Sequence, residues 1–334
     1  MADFSTTYMG LTLKNPIIIG SSGLSDSEKQ FPGIQHSGAG AVVLKSLFEE
    51  EILLDMKAKL TQMNTESYLY PETLEFYEHD DTSKEATQKY LELIKSAKSQ
   101  LDIPVIASIN CVTADQWTYF PAEIERAGAD ALELNVFTLP SNIHRTAVQN
   151  EQTYFDIIKA VRKVTKIPVS LKLSFYFSDL AGMLKRVDDA GIDALVMFNR
   201  FYNPDFDTDS FEVTSSHVLS TPSDISMPLR WASILSERLK TDISATTGVD
   251  TGQDVVKLLL AGAKTVQVAS TLYRNGMGRI GELITEMDKW MSAKGFGKVD
   301  DFRGKMSQSN TDDPAALERV QFMKYFRGQK AYNT

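Results

Sequence analysis

The sequence predicts a parallel βα barrel in a single domain, and three observations predict it. Short β-branched runs alternate with helical patterns along the chain, the alternation of βα units. Four junctions, SGAGAVV, RAGADAL, DAGIDAL and LAGAKTV, put a glycine where a helix ends and a strand begins. Residues 246–276 read as turn, helix, strand and turn, with small residues at both strand-to-helix corners, Thr247-Gly248 and Ala269-Ser270-Thr271. Such corners bring backbone N–H groups to a phosphate, and barrels commonly hold one in the loops after strands seven and eight.

The elements follow in order. TTYMGLTLKNP alternates as a small hairpin does and is expected to plug the barrel floor. Eight strands are expected at 17–20, 41–45, 105–110, 131–135, 169–173, 194–199, 243–246 and 265–268. In DIPVIAS and KIPVSLK a proline blocks helix continuation just before the strand. Stretches 47–78 and 202–229 exceed ordinary connections and follow strands two and six on the face where barrel sites lie, so they read as lid or substrate loops. Helical patterns cover 255–260 and 280–291, and a charged tail follows that packs outside the barrel or against another subunit. The expected organisation is one domain over 1–334, with a core at 15–276 and a C-terminal helical extension at 277–334.

Composition narrows the partners. With 334 residues and 43% apolar content the chain can bury a full core, and a barrel of this type needs ~250 residues. A net charge of −9 and a pI near 5.1 argue against nucleic acid and anionic membranes and for a small-molecule partner. The single cysteine, Cys111, excludes an intrachain disulfide, and His36, His79, His144 and His217 show no ligand spacing, so no metal is expected. No run reaches the ~18 apolar residues of a membrane span, and the N-terminal stretch lacks a signal core, which predicts a cytoplasmic protein.

Polar residues stand where inward-facing strand positions reach the active face: Lys45, Asn110, Asn135, Lys172 and Asn199. A lysine at a strand tip is poor core material and suggests a paired anion or an electron-rich ligand; the plain alternative is a solvated strand end. Spread over five strands beside two phosphate corners, these residues read as one site.

This pattern resembles the dihydroorotate dehydrogenase family of FMN-containing barrels, from about residue 11 to 272, and is similar to its soluble class. NPIIIGSSG resembles the first-strand segment whose backbone lies beside the flavin, which maps Ser21, Ser22 and Gly23. Lys45-Ser46 resembles the lysine–hydroxyl pair at the isoalloxazine ring, and Lys172 in SLKLS the second flavin lysine. TTGVDTGQD and QVASTL are similar to the family's glycine-rich phosphate corners, here Thr247-Gly248 and Ala269-Ser270. The resemblance implies FMN, held by these residues with Asn110, Asn135 and Asn199. It also implies hydride transfer from a substrate C–H to flavin N5, a second substrate that reoxidises the flavin, and a homodimer.

The substrate side departs from the family pattern. Where the family reads NxSCPN, this chain reads NVFTLPSN from Asn135 to Asn142, so Thr138 or Leu139 occupies the position of the base. Thr138 is then either a proton relay or a spacer, since an isolated hydroxyl is a poor base near neutrality. NSMGLPN is matched by ESYLYPE, which keeps Ser67 and Pro71 but puts Glu66 and Glu72 where asparagines bind the substrate carboxylate. A carboxylate there repels another, unless the glutamates point outward or a cation intervenes. Tyr68 and Tyr70 stack on a flat ring or pack a lid. The resemblance places Asn135, Asn199, Ser67 and Asn142 toward the substrate, with Asn203 competing for the role of Asn199. Arg200 either holds a displaced substrate acid or pairs with Asp205 or Asp207. The expected activity is oxidation of dihydroorotate or a related cyclic substrate; the alternatives are a paralogue with another substrate, a catalytically silent flavin-binding barrel, and a phosphate-substrate barrel without flavin.

Overall fold

Eight parallel strands close on themselves: β1 (Ile17–Ile19), β2 (Ala41–Val43), β3 (Val105–Cys111), β4 (Ala131–Val136), β5 (Val169–Leu173), β6 (Ala194–Met197), β7 (Asp242–Thr246) and β8 (Thr265–Val268). Each pairs with the next, and β8 pairs with β1 through Val266↔Ile17, which makes the barrel. The computed structural model describes residues 2–51, 86–111, 120–136, 138–200, 204–215 and 218–318. Every expected strand is present within a few residues of its expected bounds. Around the barrel run α1 (Phe31–His36), α2 (Ala86–Gln100), α3 (Phe120–Ala127), α4 (Ala147–Arg162), α5 (Leu180–Asp189), α6 (Ser226–Leu235), α7 (Gly252–Leu260), α8 (Ser270–Asn275) and α9 (Arg279–Lys294).

The four junction glycines, Gly38, Gly128, Gly191 and Gly262, all have positive φ, so each reverses the chain from helix into strand in the left-handed region that side chains disfavour. Alternation along the strands then sorts the core. Ile17, Ile19, Val42, Leu132, Leu134, Leu171, Val266 and Val268 belong to the layer packed under the helices. Ile18, Ala41, Val43, Ile106, Ala131 and Ala194 face the barrel interior, where they meet Tyr8, Met9 and Leu13.

Those last residues come from the antiparallel hairpin Thr6–Tyr8 and Leu11–Leu13, joined by Met9 and Gly10, both at positive φ as a two-residue hairpin turn requires. The hairpin plugs the floor, and the Met9 N–H donates to Asp242 on β7. At the other end of the chain α9 runs three residues past the expected 280–291 at its C-terminal side, closing at Gly295 in the left-handed conformation. Beyond it the chain turns back on the outer ring: the Met306 N–H donates to Leu260 O and the Gln308 N–H to Ser233 O.

The 202–229 stretch, expected as a loop, carries structure of its own. Pro204–Phe206 and Val213–Ser215 form an exposed antiparallel hairpin, turned by Asp207, whose carboxylate accepts the N–H groups of Asp209 and Ser210. A one-turn helix, Pro222–Ile225, then leads into α6. Among the described residues no helix is long and apolar enough to cross a membrane.

Candidate functional site

The strand register builds a polar row across the barrel top. Asn110 of β3 lies opposite Asn135 of β4, and Asn135 lies opposite Lys172 of β5. Asn199 follows β6 and extends its pairing by one bond, its N–H donating to Leu173 O. Its side-chain amide donates to Asn135 Oδ1 while its own Oδ1 accepts the Arg200 N–H. Four of the five strand-end residues therefore stand together.

Lys45 stands apart. The regular part of β2 stops at Val43; the Lys45 N–H donates to Ser25 O and the Ser46 N–H to Ser21 Oγ, so regular pairing lapses at the lysine, whose side chain is exposed, before Leu47 and Phe48 pair with β3 again. Ser46 turns inward instead. Its hydroxyl bonds Ser21 Oγ at 3.1 Å and Ser108 Oγ at 2.7 Å, and the Ser108 N–H donates to the buried Tyr90 hydroxyl. Burial pushes that phenol well above its ordinary range.

A cavity of about 470 Å³ opens beside this row. Ser21, Ser22 and Gly23 line it with Lys172, Phe198 and Asn199 toward the ring of polar residues, and Thr247, Gly248, Ala269 and Ser270 at the two corners. Tyr273 closes it from α8, its hydroxyl 2.8 Å from where a Cβ on Gly23 would stand. At the first corner Thr247 and Gly248 have φ of 86° and 77°. Gly248 has no alternative, because an added Cβ would lie 2.1 Å from Ile225 N. Ser220 sits between the corners: its N–H donates to Ser270 Oγ and its hydroxyl receives the Gly248 N–H at 3.5 Å. Arg274 donates to Ser220 O and to Asp250, and that hydrogen bond holds the Asp250 carboxyl below its ordinary value.

Beneath the row lies a pair that the sequence reading passed over. Glu133, two residues before Asn135 on β4, is fully buried; its Oε2 accepts from Gln267 Nε2 of β8 at 2.7 Å, and its Oε1 stands 3.8 Å from Lys172 Nζ. An acid and an amide at inward positions of otherwise apolar strands were the signal available in ELNV and TVQV.

The family model for dihydroorotate dehydrogenase matches residues 3–291. This chain belongs to the dihydroorotate dehydrogenase family. It is 25% identical over 315 residues to the "Dihydroorotate dehydrogenase B (NAD(+)), catalytic subunit" of Thermoplasma volcanium, a match covering 91% of this chain and 98% of that one. The same-named protein of Methanocaldococcus jannaschii is 26% identical over 282 residues, covering 81% of this chain and 88% of the other. A crystal structure of DHODH in complex with ferulenol from Eimeria tenella shares the fold, with a TM-score of 0.63 at 16% identity over 90% of this chain and 88% of that one.

Relative to the family's substrate pattern, Thr138 lines a different cavity, of about 240 Å³, with Tyr154, Tyr176 and Ser178. Its hydroxyl is buried without a hydrogen-bond partner among the described residues. Burial pushes the Tyr154 hydroxyl beside it up to about 12, so neither group offers a base near neutrality. Asn142 is exposed, and its side chain accepts the His144 N–H within its own turn. Arg200 pairs with Asp224 and donates to Val218 O, a partner set the sequence reading did not contain. Glu66, Ser67, Tyr68, Tyr70, Glu72 and Asn203 lie outside the described residues, as does the side chain of Cys111.

Proposed function

We propose that this protein is an FMN-dependent oxidoreductase that oxidises dihydroorotate to orotate, or a related small cyclic substrate. The observation that carries the reading is the shape of the large cavity. One end presents Lys172 and Asn199, and the other presents two small-residue corners. The residues fit the cofactor: the small residues of the Thr247-Gly248 and Ala269-Ser270 corners line the cavity, and among the described residues the Gly248 N–H makes only a long hydrogen bond, 3.5 Å to Ser220 Oγ, which leaves it available to a phosphate. Ser21, Ser22 and Gly23 would flank the ring, with Ser46, Asn110 and Asn135 behind it and Lys45 at its exposed edge. Bound FMN supplies a hydride acceptor at N5. The chain's part is to place a cation, Lys172, where negative charge develops on the ring, and to orient the substrate through Asn135 and Asn199.

A second reading keeps the cofactor and changes the substrate, and Thr138 favours it. A hydroxyl with no acceptor nearby does not take a proton near neutral pH, so a substrate that needs a strong base is poorly served. The relatives are named as NAD(+)-type catalytic subunits, which supports electron delivery from a reduced flavin to a separate subunit or another acceptor. The exposed hairpin supports a homodimer, and the acidic chain a cytoplasmic setting.

The test is an anaerobic absorbance spectrum of the FMN-reconstituted protein before and after adding dihydroorotate. Loss of the flavin band near ~450 nm supports the first reading. Bound flavin that dihydroorotate leaves oxidised supports the second, and failure to bind FMN refutes both.

A further inference from the structure

The barrel interior below the cavity is unusually polar. Glu133 has no exposed surface, Gln267 is 1% exposed, and Glu133 Oε1 and Gln267 Oε1 have no hydrogen-bond partner among the described residues. A buried carboxylate is costly unless a charge or donors compensate it. Here the compensation is divided. Gln267 fixes Oε2 at 2.7 Å, while Oε1 has only Lys172 Nζ, at 3.8 Å, a separation that attracts without forming a hydrogen bond.

Lysine is a point charge on a flexible stem, and without an anchor it seeks water. The Lys172 side chain is nevertheless 11% exposed and lines the cavity. We infer that Glu133, clamped by Gln267, is the positioning residue of Lys172: it holds the ammonium at the inner end of the cavity while leaving its N–H donors free for a bound ring. The inference deepens the FMN reading and rests on it. Gln267 makes the clamp directional, because with Oε2 occupied the carboxylate cannot rotate away from the lysine. Removing the carboxylate lets the ammonium swing toward solvent, away from where it would stabilise the reduced, more electron-rich form of the ring.

The experiment is the midpoint potential of bound FMN, measured at saturating cofactor in wild type, Glu133→Gln and Gln267→Met. Glu133→Gln should weaken the preference for reduced over oxidised flavin about tenfold, a fall of ~30 mV for a two-electron couple. Gln267→Met should shift it in the same direction by less. In a Lys172→Gln background Glu133→Gln should no longer lower the potential, since the lowering acts through the lysine and the lost negative charge by itself can only raise it. An unchanged or raised potential in Glu133→Gln, or an equal shift without Lys172, overturns the inference. If Glu133→Gln does not fold, an unchanged potential in Gln267→Met overturns it. Wild-type protein that binds no FMN refutes the functional reading and this inference together; FMN bound at the same potential in all variants refutes this inference alone.

Discussion

Two lysines that the sequence presents as equals are unequal in the fold. Lys172 is held in the cavity wall opposite Asn135, whereas Lys45 stands exposed in the break between β2 and the Leu47–Phe48 pair that rejoins β3. Hydrogen bonds to charged groups in a desolvated site contribute about 1.5–3 kcal/mol, against less than about 1 kcal/mol for an exposed cation. Lys172→Met should therefore weaken FMN binding by roughly ten- to a hundredfold and Lys45→Met by a few fold, read by quenching of flavin fluorescence. The reverse order would make Lys45 the principal cation. Thr247 raises a second residue-scale question, because a β-branched residue at φ 86° is strained by about 1–3 kcal/mol. Its hydroxyl gains only a 3.5 Å contact with Phe198 O. Thr247→Gly should raise the thermal midpoint by a few degrees, net of glycine's roughly 0.5–1 kcal/mol entropic cost. A fall would show that the threonine is stabilised by contacts other than this one.

Helix α7, between the two corners, depends on its cap. Thr251 accepts the Asp254 N–H, and Asp254 answers with the Thr251 N–H, a reciprocal capping box. Thr251→Ala should cost about 1 kcal/mol in a denaturant titration. Burial pushes the Asp254 carboxyl up, but Lys257 and Thr251 outweigh it and hold it below its ordinary value, so its contribution is present at neutral pH and lost as pH falls through that lowered value. Asp242 at the floor behaves oppositely. Burial raises it, only partly offset by the Met9 N–H, so the fold favours the neutral acid and the advantage disappears as pH rises through the raised value. Asp242→Asn keeps an acceptor for Met9 and should raise the melting temperature at pH 7 more than at pH 3.5; an equal gain at both would remove titration as the cause. These elements also show what was legible. The strands were readable because all but β7 are short apolar runs just after a glycine or proline, information held in consecutive residues. The Glu133–Gln267–Lys172 contacts join β4, β8 and β5 across the barrel, and no local spacing encodes a meeting of residues 134 positions apart. Alternation cannot follow Lys45, because regular pairing lapses between Leu44 and Leu47, where the chain rejoins β3.

For the whole molecule the outstanding feature is apolar surface on an acidic protein. The hairpin after β6 carries Phe206, Val213 and, at its tip, Phe211, which is 90% exposed. A chain of net charge −9 repels its own copies at long range, so apolar side chains held out on an ordered hairpin mark a contact rather than a solvated loop. A twofold contact between copies would bury the same patch on both partners, and a standard interface needs roughly 800 Å² from each side, more than one hairpin tip supplies. Ile143 and Val148, in the segment after β4, and Val218, just past the hairpin, are the most exposed of the other large apolar residues in the described part of the chain. Light scattering at micromolar concentration should give a dimer for the wild type. Phe211→Asp should give a monomer with an unchanged melting temperature, because that side chain contributes nothing to the core. A wild-type monomer would assign the hairpin to a different protein, as the name "catalytic subunit" carried by the relatives allows. A dimer that survives Phe211→Asp and Val213→Asp together would place the contact elsewhere on the barrel.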